Sequence, residues 1–235
     1  MNTARWIRWM LYCIQSITTL SILTFHRPIN HPNSQRVRLL YLRSTSDSSA
    51  ESVSSAPPTH IVPSDFDGPG CILIAQPGEY DHFLMQAAVL IYEHNTRGSV
   101  GVILGKPSAF TMGELTPNIG VFAPNILYTG GSEGPDTAIM FHKYALGGYS
   151  KSIGSGLFLG GLRQAKELVE GFHAHPRDFK FFFNNVQWAP GVLQSEIAQG
   201  RWDVCKAPPD MITNQDRNSN LWHRARRVLS QEQDD

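Results

Sequence analysis

Glycine and proline residues divide this chain, from Cys71 onwards, into short apolar runs, and this division constrains the fold more than any other feature. The runs are five to seven residues long, and many are rich in β-branched or aromatic side chains, which is typical of strands. They lie at 71–75, 89–95, 99–104, 125–130, 137–142, 156–161 and 179–184. The polar sequence HNTRG (94–98) between the second and third runs predicts a turn, so these two runs are expected to form a hairpin.

Four other segments carry helical signals. Asp81 suits the N-cap of a short helix over 81–88, and Pro190 suits the first position of a helix over 189–200. Apolar residues also recur at helical spacing in two further segments, 162–171 and 220–230. Because strands and helices do not alternate strictly, the pattern predicts an α+β fold rather than a doubly wound sheet.

The net charge of zero conceals an asymmetry along the chain. Residues 1–46 contain six arginines and no acidic residue, which leaves residues 47–235 with 14 basic and 20 acidic side chains, a net charge of −6. Affinity for nucleic acid depends largely on contacts from Lys and Arg to phosphates, so no nucleic acid is expected to bind the acidic globular part. Its one basic cluster, RARR (224–227), is interpreted as a solvated helix face.

The N-terminal segment is interpreted as a targeting sequence. Two early arginines precede a short, interrupted apolar run, an Arg-rich stretch without acids follows, and residues 44–58 contain seven serines. We predict that residues 1–60 are a targeting segment with a disordered Ser-rich linker, and that residues 61–235 form a single globular domain. A signal-like segment before a transit-like one favours a plastid, with a mitochondrion as the alternative. A membrane-anchoring helix is the other interpretation, although no stable span is expected in the mature protein.

Two glycine-rich stretches invite a nucleotide-binding interpretation that their residues do not support. In GSVGVILGKPSAF (98–110), Val100 stands where a phosphate-binding loop requires glycine, and Pro107 stands where it requires Ser or Thr. SIGSGLFLGG (152–161) lacks the buried strand that must precede a dinucleotide-binding turn. No cofactor is therefore expected.

The glycines of the first stretch belong to a longer pattern. Glu93-His94-Asn95, Gly98, Gly101 and Gly105-Lys106-Pro107 resemble the hairpin of the YqgE/AlgH family. The resemblance continues through Gly130-Gly131 and His142, and it is strongest in FKFFFNNVQWAPGVLQSEIAQGRW (179–202). Seven residues of that segment are in register, namely Trp188, Pro190, Gly191, Leu193, Glu196, Gly200 and Trp202. The resemblance implies a mixed, largely antiparallel sheet curled into a partial barrel with flanking helices.

Some positions depart from the family pattern. Gly105 replaces the usual Asn, Gln194 stands where an acid is usual, and Asn184, Asn185 and Gln187 replace a Gly-Tyr-x-Gly run. If these positions line a pocket, the pocket of this chain is altered. The family has no established activity, and some members carry the label of transcriptional regulator.

Four titratable residues are candidates for catalysis: Glu93, His94, Lys106 and His142. If the strands that carry them are neighbours, they could support acid–base or hydrolytic chemistry. Successive residues of a strand point to opposite faces, however, so Glu93 and His94 would share a site only if the strand bends. The alternative is that His94 and Asn95 cap the turn while Glu93 pairs with a base.

Cysteine and histidine spacing does not predict a metal site. Cys71 and Cys205 are expected to be reduced core thiols, with a single bridge or a redox thiol as the alternative. His173 and His175 could face the same side of an extended segment, but no third ligand is nearby in the sequence. Trp188 and Trp202 bracket a predicted helix, which suits core packing or a hydrophobic patch for a partner.

The absence of a complete catalytic motif favours a non-catalytic regulatory or interaction module with an unidentified protein partner. The alternatives are a small hydrolase or transferase that uses the four titratable candidates, and a transcriptional regulator. The family-motif residues expected to carry binding or structure are Asn95, Gly101, Pro107, Gly130, Gly131, Trp188, Pro190, Gly191 and Trp202.

Overall fold

A computed structural model describes residues 56–79, 81, 83–215 and 220–231, without the side chains of 135–137. Eleven strands pair within these residues: β1 (Val62–Pro63), β2 (Ile72–Ala75), β3 (Ala88–Asn95), β4 (Gly98–Ile103), β5 (Pro107–Thr111), β6 (Ile126–Thr129), β7 (Glu133–His142), β8 (Ser150–Ser152), β9 (Phe158–Gly160), β10 (Lys180–Trp188) and β11 (Trp202–Lys206). The α-helices of the same residues are α1 (Met112–Leu115), α2 (Leu162–Glu170), α3 (Val192–Ala198), α4 (Pro209–Thr213) and α5 (Leu221–Gln231). Residues 1–55 lie outside the described residues, so the predicted targeting segment stays a prediction.

The strands form one sheet in the order β1-β11-β2-β3-β4-β10-β7-β9-β8. Two strands lie off this path, because β6 pairs with β10 and β5 pairs with β6. The β6–β10 pair is parallel and the other pairs are antiparallel. The predicted α+β class with a mixed, largely antiparallel sheet is confirmed, and the sheet is not closed into a barrel.

The strand that pairs with one edge of β10 changes along the length of β10. One of its edges pairs with β7, while the other pairs with β6 over residues 181–183 and with β4 over residues 186–188. Gly130 lies between these two partners, because its N–H donates to Phe183 O and its carbonyl accepts from Ile103 N–H. A Cβ atom on Gly131 would lie 1.9 Å from Asn185 O, so the backbones approach too closely there for any side chain.

Hydrophobic clusters cover both faces of the central strands. All four residues of β2 are fully buried, and they alternate between two clusters on opposite faces of the sheet. The first cluster includes Trp222 and Ala225 of α5, and the second includes Leu193 of α3. A third cluster lies under α2 and contains Phe179 and Phe181 beside Ala165 and Val169. Burial on both faces explains why the run CILIA (71–75) is apolar at every position.

Two of the predicted helices need correction. The helix predicted over 81–88 is wrong: residues 83–86 form turns, and Ala88 already pairs with Ile74 in the sheet. Asp81 still caps this turn, because its Oδ1 accepts from Phe83 N–H at 2.7 Å, but Gln86 with φ 53° ends it. The capping signal was therefore real and served a turn rather than a helix.

The helix predicted over 189–200 is shorter than expected. It spans Val192–Ala198, and Pro190 precedes the N-cap residue Gly191 instead of opening the helix. Gly191 has φ 77°, a left-handed conformation that turns the chain out of β10 before the helix can begin. The hairpin of β3 and β4 is confirmed, with Asn95 opposite Gly98 at its turn.

Candidate functional site

The turn of the β3–β4 hairpin holds three of the residues that the sequence singled out. Asn95 Oδ1 accepts from Arg97 N–H at 2.7 Å, and Asn95 Nδ2 donates to Glu93 Oε1 at 2.7 Å. The Glu93 carboxylate also lies 3.8 Å from the Arg97 guanidinium. These contacts correspond to the turn-capping alternative for Asn95 and to the pairing of Glu93 with a base.

His94 forms a pair with Ser99 that resembles a base and a nucleophile. Its Nδ1 lies 2.8 Å from Ser99 Oγ, and its Nε2 lies 3.2 Å from Gln194 Nε2. With the Gln194 amide nitrogen facing it, His94 Nε2 accepts, which places the ring proton on Nδ1 and directs it at Ser99 Oγ. In this tautomer His94 does not accept a proton from Ser99, which is buried with 2% exposure. Phe66 packs edge-on against the imidazole with ring centroids 5.1 Å apart.

Lys106 and His142 are also engaged in structural contacts. Lys106 Nζ donates to Phe83 O and lies 4.7 Å from the centre of the Phe83 ring, which pins the 83–86 turn to the sheet. His142 is fully buried; its Nδ1 accepts from Tyr144 N–H at 3.2 Å, and its Nε2 donates to Gly160 O at 2.9 Å. Burial lowers the pKa of Lys106 and that of His142.

The four candidates do not share a site. Glu93 and His94 lie at the turn end of β3, whereas Leu104, two residues before Lys106, bonds to Ala88 at the opposite end of that strand. A strand rises about 3.3 Å per residue, so these two ends are about 20 Å apart.

His142 lies far from the hairpin turn for the same reason. Its neighbour Phe141 pairs with Lys180 at the start of β10, while Ser99 at the hairpin turn pairs with Trp188 at the end of β10. The length of β10 thus separates His142 from His94. The pocket that the hydrolase or transferase alternative requires is not formed by these residues.

A carboxylate between two indoles explains several family-motif residues. Glu196 Oε2 accepts from Trp188 Nε1 at 3.0 Å and from Trp202 Nε1 at 2.8 Å. Its Oε1 accepts from Arg201 Nη1 at 2.9 Å, and Arg201 Nη2 donates to Glu79 at 3.1 Å. The two indoles meet edge to face with centroids 6.1 Å apart. This group joins β10, α3 and β11, which is core packing rather than an exposed patch.

Close backbone approach accounts for Gly101, Gly130 and Gly131 among the glycines of the motif. A Cβ atom on Gly101 would lie 2.9 Å from Leu90 O, and one on Gly130 would lie 2.4 Å from Asn184 O. Pro107 begins β5, where a missing N–H is tolerated. These positions serve the packing of the sheet.

Lys180 is a functional candidate that the sequence analysis missed. Its side chain is only 2% exposed, and Nζ donates to Leu104 O at 3.0 Å, Ile212 O at 3.3 Å and Asn214 O at 2.9 Å. The ammonium also lies 4.2 Å from the centre of the Tyr128 ring. Burial lowers the pKa of Lys180 to about 7. The signal was present in FKFFF, where one lysine interrupts an otherwise apolar strand.

A cavity of about 930 Å³ lies beside the segment that Lys180 holds. Its two aspartates are bonded to residues outside the lining: Asp178 accepts from Tyr144 OH at 2.6 Å, and Asp210 accepts from Lys143 Nζ at 2.6 Å. The cavity is lined by Pro124, Asn125, Ile126, His175, Pro176, Arg177, Asp178, Asp210, Thr213, Asn214 and Gln215. This lining contains no serine, cysteine or lysine nucleophile.

The two described cysteines are core residues, and His175 caps a turn. Cys71 and Cys205 are free, buried and in clusters on opposite faces of the sheet. Burial raises the pKa of Cys71 to about 11 and that of Cys205 to about 12, so neither is a thiolate near neutral pH. His175 Nδ1 accepts from Arg177 N–H at 3.1 Å. Within the described ranges, no group of three or more His, Cys, Asp or Glu side chains is arranged to hold a metal ion.

Comparison with known proteins identifies the family. The AlgH-like family profile matches residues 72–233, which cover the sheet from β2 onwards and all five helices. The chain belongs to the AlgH-like family. The hairpin, the Gly130-Gly131 pair and the Trp188–Glu196–Trp202 group of this AlgH-like chain all lie inside the matched region.

Relatives of this AlgH-like chain occur in diverse bacteria. A UPF0301 protein of Chlorobium chlorochromatii is 27% identical over 161 residues, which cover 68% of this chain and 85% of the relative. A UPF0301 protein of Myxococcus xanthus is 29% identical over 156 residues, which cover 64% of this chain and 84% of the relative. The family is one of uncharacterised function.

Two solved structures share the fold of this chain. A crystal structure of protein DIP2367 from Corynebacterium diphtheriae has a TM-score of 0.57 at 24% identity, and the match covers 67% of this chain and 85% of that one. The solution structure of the AlgH protein from Pseudomonas aeruginosa has a TM-score of 0.53 at 20% identity, covering 74% and 98%. At this level of identity the comparison shows the fold alone. Among the described helices, none has the length and apolar character needed to cross a bilayer.

Proposed function

We propose that this AlgH-like chain is a non-catalytic interaction module that acts in an organelle and needs no cofactor. The observation that carries the proposal is that Glu93, His94, Lys106 and His142 are each held by contacts within the fold. Lys106 and His142 also each lie about a strand length from the neighbouring pair Glu93 and His94. An active site needs its acid, base and nucleophile within hydrogen-bond reach of one substrate.

Exposed apolar side chains support an interaction role. In the part of the chain that the structure describes, the large apolar residues that are at least 40% exposed are Met85, Phe110, Leu115, Tyr149, Phe172 and Val192. A single exposed apolar residue is ordinary, but aromatic residues are the usual anchors of protein interfaces. Tyr149 is 63% exposed and Phe172 is 97% exposed, which makes these two the strongest candidates for such anchors.

The proposal is tested by complementation with a full-length variant that removes the accessible titratable candidates. The host is a strain from which the gene of this protein has been deleted. We expect a triple variant to restore the wild-type phenotype there, because the proposed function requires no proton transfer by these groups. The variant combines Glu93→Gln, His94→Gln and Lys106→Met. Thermal unfolding of the purified variant checks that it folds. Failure of a folded, normally abundant variant to restore the phenotype would favour the hydrolase or transferase alternative.

The transcriptional-regulator alternative lacks a supporting observation. Arg226 of the RARR cluster pairs with Asp203 and with Gln76, which leaves Arg224 and Arg227 on the exposed face. We expect no retardation of duplex DNA by residues 61–235 at low salt, because the chain after residue 46 carries a net charge of −6. A clear shift that fades as salt is raised would restore this alternative.

The organelle itself is proposed from the N-terminal sequence. Residues 1–60 fused to a fluorescent reporter are expected to direct it to a plastid, since an acid-free, arginine-rich stretch follows a signal-like run. N-terminal sequencing of the native protein is expected to show that the segment has been removed. Mitochondrial fluorescence would indicate a mitochondrion instead of a plastid. A cytosolic reporter, together with an intact native N-terminus, would refute the prediction that residues 1–60 are a targeting sequence.

A further inference from the structure

Phe172 occupies a backbone position that normally requires glycine. At the end of α2, Gly171 N–H donates to Glu167 O, and His173 N–H donates to Leu168 O at 2.9 Å. This second bond closes the six-residue loop of a Schellman motif, whose penultimate residue adopts the left-handed conformation. That residue is Phe172, with φ 60°, whereas Gly171 has φ −80°. The glycine of this helix end thus lies one position before the place where its freedom would be useful.

The Phe172 side chain gains nothing from the fold in return. It is 97% exposed, so its ring is not buried against any element of the described chain. A left-handed conformation is unfavourable for a residue with a Cβ atom, and an exposed phenyl ring retains the whole cost of its hydration. Residues that break a local rule without a compensating contact are expected at functional positions.

The charges in the last turn of α2, next to Phe172, are also unfavourable for the helix. The last turn of α2 carries Glu167 and Glu170 and no basic residue. The C-terminal end of a helix is the negative end of its dipole, where basic side chains would be stabilising. Arg163 lies 3.9 Å from Glu167, but the amine of Lys166 is directed to Asn118 O. The exposed Phe172 ring thus lies at the negative end of the helix dipole, next in the chain but one to the acidic Glu170.

We propose that Phe172 and the last turn of α2 form a docking surface for a protein partner whose apolar pocket is rimmed by Lys or Arg side chains. This inference rests on the proposed interaction function and specifies the partner that the surface fits. Insertion of the Phe172 ring would bury an aromatic side chain that is 97% exposed, more than any other large apolar residue of the described ranges. Basic groups at the rim would neutralise Glu167, Glu170 and the helix dipole together. The complex would therefore offset both the exposure of the ring and the unfavourable charge at the end of α2.

The partner is found by photo-crosslinking in the native cell. Full-length protein that carries p-benzoylphenylalanine in place of Phe172 is irradiated, and the cross-linked peptide is sequenced by mass spectrometry. We expect a peptide of another protein in which apolar residues are adjacent to Lys or Arg. Cross-linking to a second copy of this chain, or to no protein at all, would contradict the proposal.

Binding of the purified partner is then compared among three full-length variants. Phe172→Gly is expected to raise the unfolding midpoint by about 2 °C, because glycine accepts the left-handed conformation, and to weaken binding by about 30-fold. The matched control is Gln86→Gly, at an exposed position with φ 53°, which should raise the midpoint similarly and leave binding unchanged. Glu170→Lys should weaken binding and reduce its dependence on salt.

The outcomes separate this inference from the function on which it rests. Equal affinity of wild type and Phe172→Gly, or affinity that does not change with salt, would overturn the docking surface. The interaction function would still stand if the triple variant at Glu93, His94 and Lys106 restores the phenotype. A Phe172→Gly protein that is more stable yet binds weakly would show that the ring is kept for its partner and not for the fold.

Discussion

Glu196 and Lys180 are each a single charged side chain that joins segments distant in the sequence. Glu196 accepts from the two indoles of Trp188 and Trp202, and Lys180 donates to the carbonyls of Leu104, Ile212 and Asn214. Buried polar groups of this kind are costly when a partner is missing, because the remaining donors or acceptors have already lost their water.

Removal of the Glu196 carboxylate is expected to destabilise the fold strongly. Glu196→Ala leaves two buried indole N–H groups without an acceptor, and each unsatisfied donor costs about 1–3 kcal/mol. We expect a loss of about 3 kcal/mol in the free energy of unfolding, measured by urea denaturation. Glu167→Ala, at a side chain that is 65% exposed, is the control and should change stability by less than about 0.5 kcal/mol. Equal effects of the two substitutions would contradict the role of the indole contacts.

Lys180 is expected to make stability rise with pH. Burial lowers the pKa of its amine from 10.5 to about 7, whereas the unfolded chain regains the ordinary value. Between pH 7 and pH 9 the unfolded state therefore binds more protons, and the free energy of unfolding increases by up to about 1.4 kcal/mol per pH unit. Above pH 9 the raised pKa values of Cys71 and Cys205 act in the opposite direction.

The test is urea denaturation at pH 7, 8 and 9 at constant ionic strength. Lys180→Met is expected to remove the increase, while the control Lys151→Met, at an exposed position of β8, should retain it. A flat profile for the wild-type protein would mean that the three carbonyls and the Tyr128 ring offset the cost of burying the charge.

At the scale of elements, close contact between strands and loops decides which glycines are needed. A Cβ atom on Gly98 would lie 2.1 Å from Trp188 O, and φ is 129° at this position. Gly105 has no atom within 4 Å of the place where its Cβ would be. Both belong to the same family motif, yet only Gly98 is held between the hairpin and β10.

Gly98→Ala is therefore expected to lower the free energy of unfolding by about 3 kcal/mol or more, because both the backbone conformation and the space forbid a methyl group. Gly105→Ala is the matched control and should be neutral or slightly stabilising, since it lowers the entropy of the unfolded chain. Thermal and urea unfolding of the two variants measure the difference. Similar stabilities would show that the hairpin can shift away from β10 at little cost.

At the scale of the whole molecule, the first strand sets a boundary for the fold. β1 begins at Val62, and Ile61 is 5% exposed within the first hydrophobic cluster. Deletion of residues 1–55 is expected to change the unfolding midpoint by less than about 2 °C, because the sequence pattern of the core begins no helix or strand before Ile61. Circular dichroism during heating measures the midpoint.

A longer deletion is the control for this prediction. Removal of residues 1–66 takes away Ile61 and β1, including the bond from Ser64 N–H to Val204 O at 3.1 Å, and should destabilise the fold by at least about 2 kcal/mol. If the shorter deletion is as damaging as the longer one, residues 1–55 contribute to the folded domain.

Local signals in the sequence correctly predicted most of the strands and three of the helices. Runs such as 89–95 and 99–104 became β3 and β4, and the segments 162–171, 189–200 and 220–230 correspond to α2, α3 and α5. The short strands β1, β5 and β8 were not predicted, nor was β11, because their residues carry no clear alternation and pair only where the fold brings an edge to them. The segment 81–88 failed as a helix for the same reason, since Ala88 was recruited by the sheet.

The sequence by itself determined the fold class and the family, because apolar periodicity, turn residues and the order of the motif are properties of neighbours along the chain. Only the tertiary structure decided what the singled-out side chains do. The separation of His94 from His142 depends on strand order, and the burial of Lys180 depends on three carbonyls from other segments. The exposure of Phe172 depends on where α2 ends against the sheet. Contacts between residues distant in sequence leave no local pattern, so they cannot be predicted from the local patterns of one sequence.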